Sequence, residues 1–261
     1  MIRRMSALVT VCCMALVLTG CLSLHVTEHE TTAVKEAPTE NGFYAFHTSV
    51  DGDSWPAVVY VPVGYTPDRE WPLVVFLHGM GERGSDGWKQ AEVGIGRAIR
   101  LNPERFPALV VMPQCATSTV WSSADNPNGA PAWKHIDNSV EWVKQHYRVD
   151  NKRVTLTGLS MGGYGTFKYG AMRADQIAAF MPVCGGGNPE DATALARRPL
   201  WAFHGLADTV VKPEQSQKMV DAIKAAGGNV QLTTYPGVGH NSWDNAYGDA
   251  NAIQWLLAQS L

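Results

Sequence analysis

The sequence has no block of basic residues: after the first twenty positions lysine and arginine never run longer than a pair, and 21 basic against 24 acidic side chains leave a formal charge of -3. Holding a phosphate backbone takes a field of closely spaced cations, so nucleic acid is not an expected partner. Charge of either sign is sparse, at 17% of residues, and low-complexity tracts are missing. With 45% apolar residues, 25 glycines and 15 prolines, the composition is that of a globular, turn-rich chain and excludes a disordered or fibrous one. At 261 residues there is room for one domain with a substantial core, whereas two would be cramped.

A spanning helix needs about 20 apolar residues. The apolar run Ala7 to Leu18 is shorter than that and follows the positive pair Arg3 and Arg4, so residues 1–20 read as an export signal and stand outside the fold. Next comes Leu18-Thr19-Gly20-Cys21, which resembles the lipobox of bacterial lipoproteins, where the chain is cut before the cysteine and that cysteine carries the lipid. Cys21 is therefore the expected lipidation site, and the expected location is an exported protein anchored by lipid to a bacterial cell membrane, periplasmic or at the cell surface.

Cysteine is scarce once these positions are set aside. Cys12 and Cys13 leave with the signal, and only Cys115 and Cys184 remain as thiols. Each ends an apolar run. Spacing alone does not decide whether they are adjacent; if their strands are separated by two others, at roughly 4.8 Å per strand, a bond is out of reach and two buried thiols are expected.

Residues 21–40 are polar and aperiodic and read as a flexible tether, so the expected domain spans 41–261. His25 and His29 stand four apart beside Glu28 and Glu30, a metal-like spacing, but in a flexible tether they are expected to bind no metal. From Phe43 the pattern alternates: FYAFHTSV and AVVYVPVGY, separated by Asp51-Gly52-Asp53-Ser54, predict a β-hairpin. Six apolar runs follow, at 73–77, 109–112, 154–157, 178–183, 200–203 and 230–235. Helical patterns lie between or after them at 88–101, 136–147, 164–174, 213–226 and 249–259. This alternation predicts an α/β fold, a mostly parallel sheet with helices on both faces and chemistry beyond the carboxyl ends of its strands.

The run ending at Thr157 leads into Gly158-Leu159-Ser160-Met161-Gly162 and then at once into a helical pattern, which is a G-x-S-x-G nucleophile elbow in its strand-turn-helix context. A serine hydroxyl needs a base to become a nucleophile. His240, in the loop Pro236-Gly237-Val238-Gly239-His240 after the last strand, is the expected base, while His78 and His204, each before a glycine at a strand end, are expected to shape loops. Asp208, closing the preceding strand segment, is the expected carboxylate partner; Asp244 and Asp191 compete but read as solvated loop residues. The order Ser, Asp, His is that of α/β-hydrolases. For the oxyanion, the expected donors are the backbone N–H groups of Met161 and, in the loop His78 to Gly84, of Met80.

LHGMGERG, VVMPQC, GLSMGGYGTF, PVCGGG, FHGLAD and GHNSWDNAY together resemble bacterial α/β-hydrolase esterases labelled predicted peptidases or prolyl-oligopeptidase-like, akin to feruloyl and acetylxylan esterases and poly-hydroxyalkanoate depolymerases. The likeness covers nearly all of residues 43–261. It implies the α/β-hydrolase fold and hydrolysis of carboxylic esters through an acyl-enzyme, without metal or cofactor, with Ser160, Asp208 and His240 falling on the family's triad. About fifteen residues between the runs ending near Cys184 and starting at Leu200 leave no room for a large lid. The expected open pocket is rimmed by Trp121, Tyr164 and Trp243, with Trp133 a further candidate. The expected substrates are short-chain or aromatic esters, polysaccharide-linked ones included; the alternatives are a serine peptidase, or a carbohydrate-binding lipoprotein that kept the fold without activity.

Overall fold

Side chains alternate faces along a strand, and a strand covered on both sides is apolar at every position. Trp71 to Leu77 and Leu109 to Pro113 meet that condition and are buried throughout. In the computed structural model, which describes residues 37–122 and 132–261, these strands sit in the middle of one eight-stranded sheet. The expected leader, the Cys21 lipidation site and most of the tether lie outside the described residues.

The elements run β1 (Gly42–Val50), β2 (Asp53–Val61), β3 (Trp71–Leu77), α1 (Gly94–Leu101), β4 (Leu109–Pro113), α2 (Ala132–His146), β5 (Val149–Leu159), α3 (Met161–Met172), β6 (Ala179–Val183), α4 (Ala192–Leu195), β7 (Leu200–Gly205), α5 (Glu214–Ala225), β8 (Val230–Tyr235), α6 (Trp243–Gly248) and α7 (Ala250–Ala258). The sheet order is β1-β2-β4-β3-β5-β6-β7-β8. The β1–β2 and β2–β4 pairs are antiparallel, and every other pair is parallel.

The two-residue period divides the core cleanly. Leu73, Val75, Leu77, Val111, Leu156 and Phe180 point to the face covered by α2, α3 and α5, where Ile136, Phe167 and Met219 meet them. Val74, Phe76, Val110, Met112, Met181 and Phe203 point to the other face, under Ile95 and Ile99 of α1, Tyr247 of α6 and Ile253 and Leu256 of α7. Burying a large apolar side chain contributes about 1.5–3 kcal/mol, so these two layers supply the main driving force for the fold.

Three details differ from the sequence reading. The hairpin turn is two residues long: Val50 pairs with Asp53, and Asp51 and Gly52 both have positive φ, 52° and 94°, as a type I′ turn requires. Asp53 and Ser54 belong to β2 because the right-handed strand twist favours the tighter turn. The helical pattern from Trp88 begins as a short 3-10 turn, and α1 proper starts at Gly94, whose φ of 53° breaks the helix there. Third, β5 reaches back to Val149, before the apolar run that marked it.

Cys115 and Cys184 are buried and free. They follow β4 and β6, with β3 and β5 between, which accounts for their separation.

His135 ties α2 to the hairpin. Its Nε2 donates to the Pro56 carbonyl at 3.0 Å, so Nδ1 accepts from the Thr48 hydroxyl at 2.9 Å. Burial pushes its pKa down from 6.5 to about 4. Because the unfolded chain then binds more protons than the folded one, His135 contributes stability that is full above pH 6.5 and is lost as pH falls toward 4. The thermal midpoint is expected to drop between pH 6.5 and 5, and the His135 ring protons to show no titration in NMR spectra over that window. A His135 midpoint near 6.5 would contradict this packing.

Candidate active site

The loops beyond the carboxyl ends of β3, β5, β7 and β8 converge at Ser160. This serine sits between β5 and α3 with φ 54° and ψ -117°, a conformation that L-residues avoid and that costs on the order of 1–3 kcal/mol. It persists because its neighbours over-determine it. The Ser160 N–H donates to Val183 O at 3.0 Å, and Ser160 O accepts from the Tyr164 N–H at 3.0 Å. The motif's two outer glycines allow the close approach behind it. A Cβ on Gly158 would stand 2.7 Å from Leu77 O, and a Cβ on Gly162 would collide with that same carbonyl oxygen.

His240 lies between the serine and the aspartate. Its Nδ1 is 2.7 Å from Asp208 Oδ2 and its Nε2 2.9 Å from Ser160 Oγ. A carboxylate only accepts, so Nδ1 carries the proton and Nε2 offers its lone pair to the serine hydroxyl. Asp208 is buried and stays ionised: burial raises its pKa, but N–H donors from His240, Val211 and Val210 outweigh that and hold it below the ordinary carboxylate value. Val210 and Val211 donate to Oδ1 at 2.9 and 3.0 Å, which leaves Oδ2 for His240. Asp244 and Asp191 are engaged elsewhere, near Arg97 and with Lys168.

The other expected site residues divide. Met161 is the first residue of α3, where helical N–H groups lack intrahelical partners. Met80 opens a 3-10 turn directly after Gly79, and a Cβ on Gly79 would stand 3.7 Å from that of Ser160, so this loop lies beside the serine. Tyr164 is half-buried one turn into α3, and Asp208 and burial together raise its pKa, burial being the larger cause. Trp243 is half-buried and meets the His240 ring edge-on, with centroids 5.5 Å apart. It also borders a small cleft of about 70 Å³ between α1 and α6.

Trp121 is a correction. At 0% exposure it offers no face to a substrate; its indole N–H donates to His78 O at 3.0 Å and its Cβ packs against Gly165 of α3. Trp133 spends its N–H on Trp121 O at 2.7 Å. Both tryptophans brace the wall of the site from behind.

His78 shapes a loop as expected. Its Nε2 accepts from the Cys115 N–H at 2.9 Å, so Nδ1 donates to Gly79 O, and burial lowers its pKa to about 4. Two contacts escaped the sequence reading. Arg83 donates to Thr117 O at 2.7 Å and clasps the Met80 loop to the loop after β4. His204 touches Asp208, with Nε2 3.2 Å from Oδ2; only the four-residue separation on one strand end hinted at it.

This geometry accords with the kinship of the chain. The family model described as "Dienelactone hydrolase family" matches residues 112–252. The chain belongs to the dienelactone hydrolase family. Membership agrees with the expected α/β-hydrolase class, and the matched region holds Ser160, Asp208 and His240. Among curated relatives of this family member, the bifunctional acetylxylan esterase/xylanase XynS20E of Neocallimastix patriciarum is 31% identical over 159 residues, 60% of this chain and 22% of that much longer protein. Acyl-protein thioesterase 1 of Neurospora crassa is 25% identical over 74% of this chain and 88% of its own length. Among solved structures, a thermostable esterase superposes with a TM-score of 0.75 at 34% identity, over 84% of this chain and 63% of that one. The feruloyl esterase module of Clostridium thermocellum, a mutant complexed with sinapinate, shares the fold at a TM-score of 0.66 and 18% identity, over 86% of this chain and 91% of that one.

Gly162→Ala is expected to displace β3 or α3 and to cost more than about 2 kcal/mol in urea unfolding. An alanine variant with unchanged stability would mean that the elbow is not held by this contact.

Proposed function

We propose that the protein is a serine carboxylesterase in which Ser160 is the nucleophile, His240 the general base and Asp208 the carboxylate that orients it. The observation that carries this reading is the position of His240, hydrogen-bonded to Ser160 Oγ on one side and to buried Asp208 on the other. Nε2 takes the hydroxyl proton as Oγ bonds to the ester carbonyl carbon, and the imidazolium that forms is stabilised by Asp208. The carbonyl oxygen becomes an oxyanion facing the N–H groups of Met161 and Met80, with the N-terminus of α3 adding its dipole. When the tetrahedral centre collapses, the alcohol leaves with the proton from His240, and Ser160 keeps the acyl group. Water, deprotonated by His240, then attacks the acyl carbon; the acid departs and the serine regains its proton.

Short-chain or aromatic esters are the proposed substrates, including those linked to polysaccharides, with Tyr164 and Trp243 as the ring surfaces at the rim. Support comes from the half-buried state of both rings and from the short connection between β6 and β7, which carries only a 3-10 turn and α4. The esterase relatives point the same way. Residues 1–20 are proposed as a signal and Cys21 as a lipid-bearing residue that would hold the enzyme at a membrane, on the strength of the Leu18-Thr19-Gly20-Cys21 motif alone.

The purified protein is expected to hydrolyse p-nitrophenyl acetate, and Ser160→Ala to lose that rate by a factor of roughly 10³ or more. The rate should fall on the acid side, where a protonated His240 could no longer take the serine proton. Undiminished turnover in Ser160→Ala would remove the assignment, and a flat profile would take the base role from His240. In cells making the full chain, globomycin should block maturation; an unaltered product would rule out lipidation at Cys21.

A further inference from the structure

Glu82 closes the 3-10 turn Met80–Glu82, which starts directly after Gly79, and its side chain folds back over the start of that turn. A Cβ on Gly79 would stand 3.0 Å from Glu82 Oε2 and 3.7 Å from Ser160 Cβ, so a carboxylate oxygen and the serine side chain flank one atom-sized position. The same position lies 2.8 Å from Leu159 Cδ1, an apolar neighbour that cannot solvate a charge. Glu82 is half-buried. Burial raises its pKa, and the N–H groups of Gly79 and of Glu82 itself draw it only partly back; among the described residues no cation contributes. Arg83, next in the chain, is turned to the loop after β4: its guanidinium donates to Met80 O at 3.3 Å, Thr117 O at 2.7 Å and Thr119 O at 3.4 Å.

We propose that Glu82 is a specificity residue of the esterase site, a carboxylate that disfavours esters carrying a negative charge close to the scissile bond and favours those carrying a positive one. The inference rests on the triad reading above and adds the charge of the substrate to it. An ester attacked by Ser160 must lie beside the Met80 loop, because its carbonyl oxygen faces the N–H groups of Met80 and Met161. Substituents near that carbonyl therefore come close to Glu82 Oε2. The N–H groups of Gly79 and Glu82 steady the carboxylate without cancelling its charge, since both donors are neutral. Two unit charges about 6 Å apart, in an effective dielectric of about 20, interact strongly enough to change a rate by tenfold or more.

Three p-nitrophenyl esters of matched acyl length separate charge from shape: the butyrate, the hemisuccinate and the trimethylammoniobutyrate. With the full protein at about pH 8, where carboxyl groups are ionised, kcat/KM is expected to rank the cation above the neutral ester and the neutral ester above the anion, with the hemisuccinate at least about tenfold below the butyrate. Glu82→Gln, which keeps the shape and removes the charge, should raise the hemisuccinate-to-butyrate ratio by about tenfold and lower the cation-to-butyrate ratio. Each ratio is free of any loss that the variant causes in loop geometry or oxyanion binding, since such a loss is common to all three esters. A residue that only closes the turn would leave both ratios unchanged, and that result would overturn the proposal. Should Glu82→Gln fail to fold, the wild-type ranking decides: equal turnover of hemisuccinate and butyrate would overturn it as well. Turnover of none of the three esters would sink the triad reading and this proposal with it, an outcome distinct from equal turnover of all three.

Discussion

Everything at the site depends on how closely the tip of β5 and the start of α3 approach the end of β3. Leu77 O occupies the space where a side chain on Gly158 or Gly162 would project, so two positions without a Cβ are needed for the turn to close. That closure forces Ser160 to positive φ and lifts its hydroxyl off the sheet edge. The strain, on the order of 1–3 kcal/mol, is offset by the apolar layers on both faces of the same strands. A rigid scaffold thus supports an unfavourable local backbone at the residue proposed as the nucleophile.

The polar half of the site obeys a second constraint: a buried carboxylate must be hydrogen-bonded to stay charged. Asp208 meets it with two backbone N–H groups of its own loop and the imidazole of His240. Electrostatics and packing converge there. The same contacts that keep the carboxylate ionised also fix the ring of His240, and with it the side from which Nε2 meets Ser160 Oγ.

Much of this was legible in the sequence because it follows from period and order. The two-residue alternation marked the strands, the helical spacing marked the helices that cover them, and the order Ser160, Asp208, His240 pointed to three side chains that the fold does bring within hydrogen-bond distance. What sequence reasoning missed depends on depth and not on pattern. Trp121 follows a strand end on a loop, just as a rim residue would, yet it is the bulk that fills the space beside the small residue Gly165. His204 looked like a loop-shaping histidine because nothing local distinguishes a ring that meets a main-chain carbonyl from one that also meets a carboxylate. Gly94 puts the start of α1 later than the pattern from Trp88 suggests for a reason visible only in space: its φ is 53° and a Cβ there would stand 2.7 Å from Leu159 and 3.0 Å from the Phe76 ring.

The central claim is that one hydroxyl among the many serines of this chain is activated. Reaction of the native protein with an organophosphate, followed by peptide mass spectrometry, tests it directly. A single adduct on the peptide that contains Ser160, absent when the protein is first unfolded, is the predicted result. An adduct on another residue, or none while the protein hydrolyses esters, would contradict it.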